Sequence, residues 1–133
     1  MPPVNDSLVK LVESVDTGAF VTAAAFIGSI PTFALGDGAL LHGPMGAQKR
    51  IEAHKGSILV AAADNNQLVT GGDDGRVIRF DATGQTTEIA NENNRWIDAV
   101  ALGPGSAIAW SFGKMARARD GKGATRSMFT PSS

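Results

Sequence analysis

The sequence predicts an all-β protein made of repeated four-stranded antiparallel sheets. Three observations lead there. No window sustains apolar residues at i, i+3, i+4 and i+7 with caps at both ends, so helical periodicity is poor. Short apolar runs alternate with Gly, Asp and Asn clusters, the rhythm of antiparallel hairpins. The pattern also returns with a period of about 38 residues, four short strands to a copy. A lone four-stranded unit cannot hide both of its faces, so such units stack.

Taken in order, the reading is one domain over 1–133. A lone strand at 8–15 comes first, then three units at about 19–53, 57–90 and 96–129. The middle unit is the clearest. Ser57-Ile58-Leu59-Val60-Ala61-Ala62-Ala63 is a short buried run. Asp64-Asn65-Asn66 turns the chain, because Asn and Asp tolerate left-handed φ and bond their own backbone. Gln67-Leu68-Val69-Thr70-Gly71 forms the second strand. Gly72-Asp73-Asp74-Gly75 turns again, and Asp-Gly is the strongest short hairpin signal. Arg76-Val77-Ile78-Arg79-Phe80 follows, with Arg76, Ile78 and Phe80 on one face and Val77 and Arg79 on the other. Asp81-Ala82-Thr83-Gly84 leads into a fourth strand over 85–90.

The other copies align on this one. Gly36-Asp37-Gly38-Ala39-Leu40-Leu41-His42 matches Asp73-Asp74-Gly75-Arg76-Val77-Ile78-Arg79, and Asp16-Thr17-Gly18-Ala19-Phe20 matches His54-Lys55-Gly56-Ser57-Ile58. Trp96-Ile97-Asp98-Ala99-Val100-Ala101 overlays the run at 57–62. Gly103-Pro104-Gly105 reads as a turn.

Composition excludes several functions. The 133 residues carry 12 basic and 13 acidic side chains, a net charge of −1, so overall charge names no polyanion partner. Without Cys there are no disulfides, Cys-based zinc sites or thiol chemistry. Two His, at 42 and 54, are too few for a His-based metal cluster. The 16 Gly fit many tight turns. The opening residues lack a basic, then apolar, leader. The most apolar stretch, 18–31, is too short to span a bilayer. The expectation is a cytoplasmic protein with no membrane contact and no cofactor.

The segment Ala53-His54-Lys55-Gly56, continued by Leu68-Val69-Thr70-Gly71-Gly72-Asp73-Asp74-Gly75-Arg76-Val77-Ile78-Arg79-Phe80-Asp81, resembles one repeat of the WD-repeat (WD40) β-propeller family. Ala53-His54 stands at the family's Gly-His position and Phe80-Asp81 at its Trp-Asp position. The likeness is good over about 30 residues of the middle copy, fair over 16–43 and faint over 94–120. It implies radial blades, here of a divergent, bacterial-type repeat protein. It also implies a structural hydrogen-bond chain from Asp74 through His54 to Thr70. That chain stops at Thr70, because Phe80 has no N–H to donate. The first copy has Asp16 at the His position and the third Asn93 or Asn94, so both lack the chain.

Propellers close with 4–8 blades. Three blades and a clasp strand therefore form an incomplete ring unless assembled. Two readings stay open: the chain is an N-terminal fragment of a longer protein, or copies self-associate to close the ring.

Few residues invite chemistry. Gly71-Gly72-Asp73-Asp74-Gly75 has only two adjacent carboxylates, which suits a hairpin turn and not a Ca²⁺ loop. No Gly-x-x-x-x-Gly-Lys-[Ser/Thr] cradle is present. His42 and Asp37 flank a hairpin, but nothing places Ser29 or Ser57 to complete a hydrolytic triad, so His42 reads as a solvent-facing or loop residue. Lys114, Arg117, Arg119, Lys122 and Arg126, opposed only by Asp120, form a basic run. Arg117 and Arg119 alternate as a solvated outer strand would. Trp96 and Trp110 read as packing between blades, with Trp110 needing a partner for its indole N–H.

The expectation is a non-catalytic scaffold that docks other proteins, with no catalytic residue and no metal. By resemblance its rim positions are Lys55, Asp74, Asn93, Arg95 and Lys114, and Arg117 and Arg119 extend the contact surface. A nucleic-acid or small-ligand binding propeller fragment is the alternative, with nucleic acid an unlikely partner, and a propeller enzyme is the weakest reading. Among the inner-strand residues only Asp98 is ionisable.

Overall fold

The computed structural model describes residues 12–121 and, for backbone and pairing alone, 125–129. Twelve strands lie among them. β1 (Val21–Ile27), β2 (Ile30–Leu35), β3 (Ala39–His42) and β4 (Lys49–Glu52) form the first sheet. β5 (Ile58–Ala63), β6 (Gln67–Gly72), β7 (Arg76–Asp81) and β8 (Thr86–Asn91) form the second. β9 (Ala99–Leu102), β10 (Ile108–Phe112), β11 (Met115–Arg119) and β12 (Thr125–Phe129) form the third. Every pairing is antiparallel and every sheet is a simple meander, because short polar turns join neighbours directly. These sheets are the three blades.

The repeat is visible in the irregularities as well. A bulge interrupts β1 between Val21 and Ala23, and another interrupts β5 between Ile58 and Val60. Both shift the start of a blade's first strand, which adds local twist at equivalent places. Pro104–Ser106 makes a short 3₁₀ turn between β9 and β10, in the position read as a turn.

Stacking explains the apolar content. β7 alternates so that Phe80 points to the first blade and Val77 to the third, and both are fully buried. One core, between the first and second blades, holds Ile27, Ala34, Leu40, Ile58, Leu68 and Phe80. The other, between the second and third, holds Val69, Val77, Ile97, Ile108, Trp110 and Phe112. β5 lies between β1 and β9, so the first strands of the blades line the inner edge.

The expected strand at 8–15 is corrected in part. Residues 12–15 form no strand, and Val12 is 68% exposed. Among the described residues their backbone joins no ladder, and an unpaired strand has nothing to hold it extended. Residues 8–11 lie outside the described residues. Among the described residues, no helix is long and apolar enough to cross a membrane.

Candidate functional site

The turns between second and third strands and the connections between blades gather on one rim. Main-chain bonds link them. The Ala53 and His54 N–H groups donate to the Gly38 carbonyl at 3.2 and 2.9 Å. Asp73 N–H donates to Ser57 at 3.1 Å, Glu92 N–H to Gly75 at 2.7 Å and Ile97 N–H to Gly72 at 3.2 Å. Loop backbone needs partners wherever water is excluded, and here each loop supplies its neighbour's.

The centre of the rim is built around His54. It enters from the connection after β4, Asp74 from the turn after β6, and Thr70 from β6 itself. His54 Nδ1 lies 3.0 and 3.1 Å from the two Asp74 oxygens, and Nε2 lies 2.7 Å from Thr70 Oγ1. A carboxylate only accepts, so Nδ1 donates. In the neutral ring, Nε2 then accepts from the Thr70 hydroxyl. Asp74 also accepts from the Arg76 and Lys55 N–H groups, each at 3.0 Å, and Asp73 accepts from the Ser57 N–H at 3.0 Å. Burial pushes the Asp74 carboxyl up. The hydrogen bonds donated by His54, Arg76 and Lys55 outweigh that and hold it below 3.8.

Two glycines make this geometry possible. A Cβ on Gly72 would sit 2.6 Å from His54 Nδ1 and 2.7 Å from Asp74 Oδ1, so only glycine leaves room for both. Gly75 has φ +82°, the left-handed conformation that the Asp-Gly turn requires.

Beyond Thr70 the chain ends in packing. Phe80 meets the His42 ring edge-on, with centroids 4.8 Å apart and planes at 77°. This corrects the solvent-facing reading of His42. It ends β3 on the side that faces the second blade, and its Nδ1 lies 2.7 Å from Thr32 Oγ1. Desolvation lowers its pKa below 6.5. The weighed triad does not assemble: Asp37 pairs with Arg50 at 2.8 Å, and Ser57 Oγ donates to the Gly36 carbonyl at 2.5 Å.

A second buried cluster, not foreseen from the sequence, joins the next two blades. Glu92, 7% exposed, accepts from Trp110 Nε1 at 2.8 Å and from Arg117 at 3.0 Å. Arg117 also lies over the Phe112 ring, 5.1 Å from Cζ to centroid, and Arg95 lies over the same ring at 4.9 Å. The solvated-strand reading of Arg117 and Arg119 is therefore corrected. β11 is the third strand of its blade, not the outermost, and both residues are half-buried there. Lys122 and the Arg126 side chain lie outside the described residues.

The remaining rim residues divide differently. Lys55, Asn93, Arg95 and Lys114 are exposed. Trp96 is 64% exposed, which corrects the buried reading. It precedes β9, outside the strand alternation that turns Trp110 inward. Asn93 and Asn94 adopt φ of 57° and 64°, left-handed values that Asn tolerates in a turn. Among the described residues, no three His, Asp or Glu lie together as a metal site would need.

No family model matches the chain, and no curated protein is similar to it in sequence. Solved structures are similar in fold. A protein of the mitotic checkpoint complex superposes with a TM-score of 0.74 at 22% identity, over 92% of this chain and 42% of its own. Virginiamycin B lyase from Staphylococcus aureus gives 0.70 at 12% identity, over 90% and 44%. The computationally designed Ika8 protein gives 0.67 at 22%, over 81% and 36%. This chain thus spans less than half the length of each. The likeness shows the fold: three four-stranded blades of a β-propeller, short of a closed ring.

Proposed function

We propose that the chain is a divergent WD-repeat scaffold that docks another protein on its rim and has no catalytic role. One observation carries the reading. The connection from β8 to β9 presents Arg95 and the 64% exposed Trp96 on a backbone that is tied down on both sides. Asn94 N–H donates to Asp74 at 3.2 Å, Ile97 N–H to Gly72, and the Glu92 side chain is locked beneath. Trp and Arg are the residue types that dominate binding hot spots, and an ordered loop has little conformational entropy left to lose on docking. Lys55 and Lys114 flank them on the same rim. The likeness to a protein from a multi-protein complex agrees with this reading. A cytoplasmic setting belongs to the same proposal.

Nucleic-acid binding is the less favoured reading. Arg117, central to the basic run, already serves Glu92, which leaves less charge for phosphates.

Site-specific photo-crosslinking tests the proposal. A photoreactive residue at position 96 should capture a discrete protein partner from the source cell's lysate. The same residue at Thr83, on the opposite rim, should not. Equal adducts at both positions, or none at 96, would overturn it.

A further inference from the structure

We propose that two copies of the chain join head to tail, the free face of the third blade against the free face of the first, into a six-bladed ring. Both internal boundaries follow one rule. The trailing face of one blade carries smaller side chains and receives the larger ones on the leading face of the next. Ile27, Ala34 and Leu40 of the first blade meet Ile58, Leu68 and Phe80 of the second. Val69 and Val77 of the second meet Ile108, Trp110 and Phe112 of the third.

The two unused faces are the halves of one more such boundary. On the first blade, strand register places Phe33 beside Ala24 and Leu41, on the face turned away from the second blade. Phe26 shares that face by alternation with Ala24 and is 64% exposed. This leading face carries large side chains; its rim end is buried, with Leu35 and Ala39 at 0% exposure, and its far end stands open at Phe26. On the third blade, register pairs Ala109 with Ala101 and Ala118, and Ser111 with Ala99 and Ala116. Over β9, β10 and β11 this trailing face is almost all methyl groups, around a shallow depression of about 240 Å³. Aromatic knobs at one end thus match a small-residue hollow at the other, in the sense the internal boundaries already use.

A heterologous contact repeats until its rotation closes. Propellers close with about 4–8 blades, and six is the one multiple of three in that range, so two copies suffice. The faces would not pair with themselves: two alanine faces leave voids, and two aromatic faces lack hollows to receive their rings.

The test is solution mass by light scattering on the purified chain and two variants. Phe26→Arg spoils the leading face and Ala101→Arg the trailing face. Position 26 is 64% exposed and position 101 is exposed, so either arginine reaches water in a folded chain. The wild type should show twice its 13.7 kDa chain mass. Each variant should show a halved mass with an unchanged β-sheet circular dichroism spectrum. An equimolar mixture of the variants should regain a two-chain mass, because one intact junction remains. A wild type that stays monomeric at high concentration overturns the proposal. So does a dimer abolished by Phe26→Arg alone, which would mean that the aromatic face pairs with itself. If Phe26→Arg loses the spectrum, Phe26→Ser replaces it in the same comparison.

Discussion

Trp110 donates its indole N–H to the Glu92 carboxylate at 2.8 Å across the boundary between the second and third blades. The same carboxylate takes a guanidinium N–H from Arg117. A carboxylate just after β8 thereby holds the second strand of the next blade. Glu92→Ala strands a buried indole N–H and a half-buried guanidinium together. The expected loss is about 2–3 kcal/mol. Glu92→Gln keeps an acceptor for Trp110 and should lose about half as much. Urea denaturation measures both, and a loss for the alanine variant within ordinary surface scatter would contradict the assignment.

The His54 cluster makes a sharper prediction, because its parts depend on one another. His54→Ala should cost about 1–3 kcal/mol, the effect of leaving Asp74 and Thr70 without their partner. Thr70→Val should cost less alone and almost nothing in a His54→Ala background. A double-mutant cycle measures this coupling, expected at about 0.5–3 kcal/mol. Additive losses would mean that the two side chains act separately.

Acid should loosen the boundary between the first and second blades through His42. Burial holds its folded pKa below the ordinary 6.5. The unfolded chain therefore binds the proton more readily. Its contribution is complete above 6.5 and is lost as pH falls toward the folded value. The urea midpoint of the wild type should fall between about pH 7 and pH 5 more steeply than that of His42→Gln. Parallel profiles would remove His42 from the account.

The two tryptophans should respond in opposite ways. Trp110→Ala opens a cavity in the second core and should cost about 3–5 kcal/mol. Trp96→Ser, on the rim, should change stability by no more than about 0.5 kcal/mol. Thermal denaturation of both variants checks this, and a large loss at Trp96 would place it in the core.

Much of this architecture was legible in the order of residues. Asp64-Asn65-Asn66 and Asp73-Asp74-Gly75 turn where their backbone preferences say they should, and the alternation of β7 sorts Phe80 and Val77 to opposite cores. The His54, Asp74 and Thr70 positions came from likeness to a repeat, and spacing alone would not have joined them. Glu92 was out of reach, because its partners lie 18 and 25 residues away and no local period links them. Residue type alone does not separate Trp96 from Trp110. The signal that separates them is position: Trp110 alternates with Ile108 and Phe112 within a strand, while Trp96 follows three polar residues in a connection. His42 carried a similar signal, two residues after buried Leu40 on the same face of β3.

The rigid rim is the claim on which the functional reading rests, and amide hydrogen exchange tests it most directly. The N–H groups of Lys55, Ser57 and Arg76 donate to the carboxylates of Asp73 and Asp74. These amides should exchange nearly as slowly as those of β6 and β7. Exchange at the rate of an unstructured peptide, with β6 and β7 still protected, would contradict it.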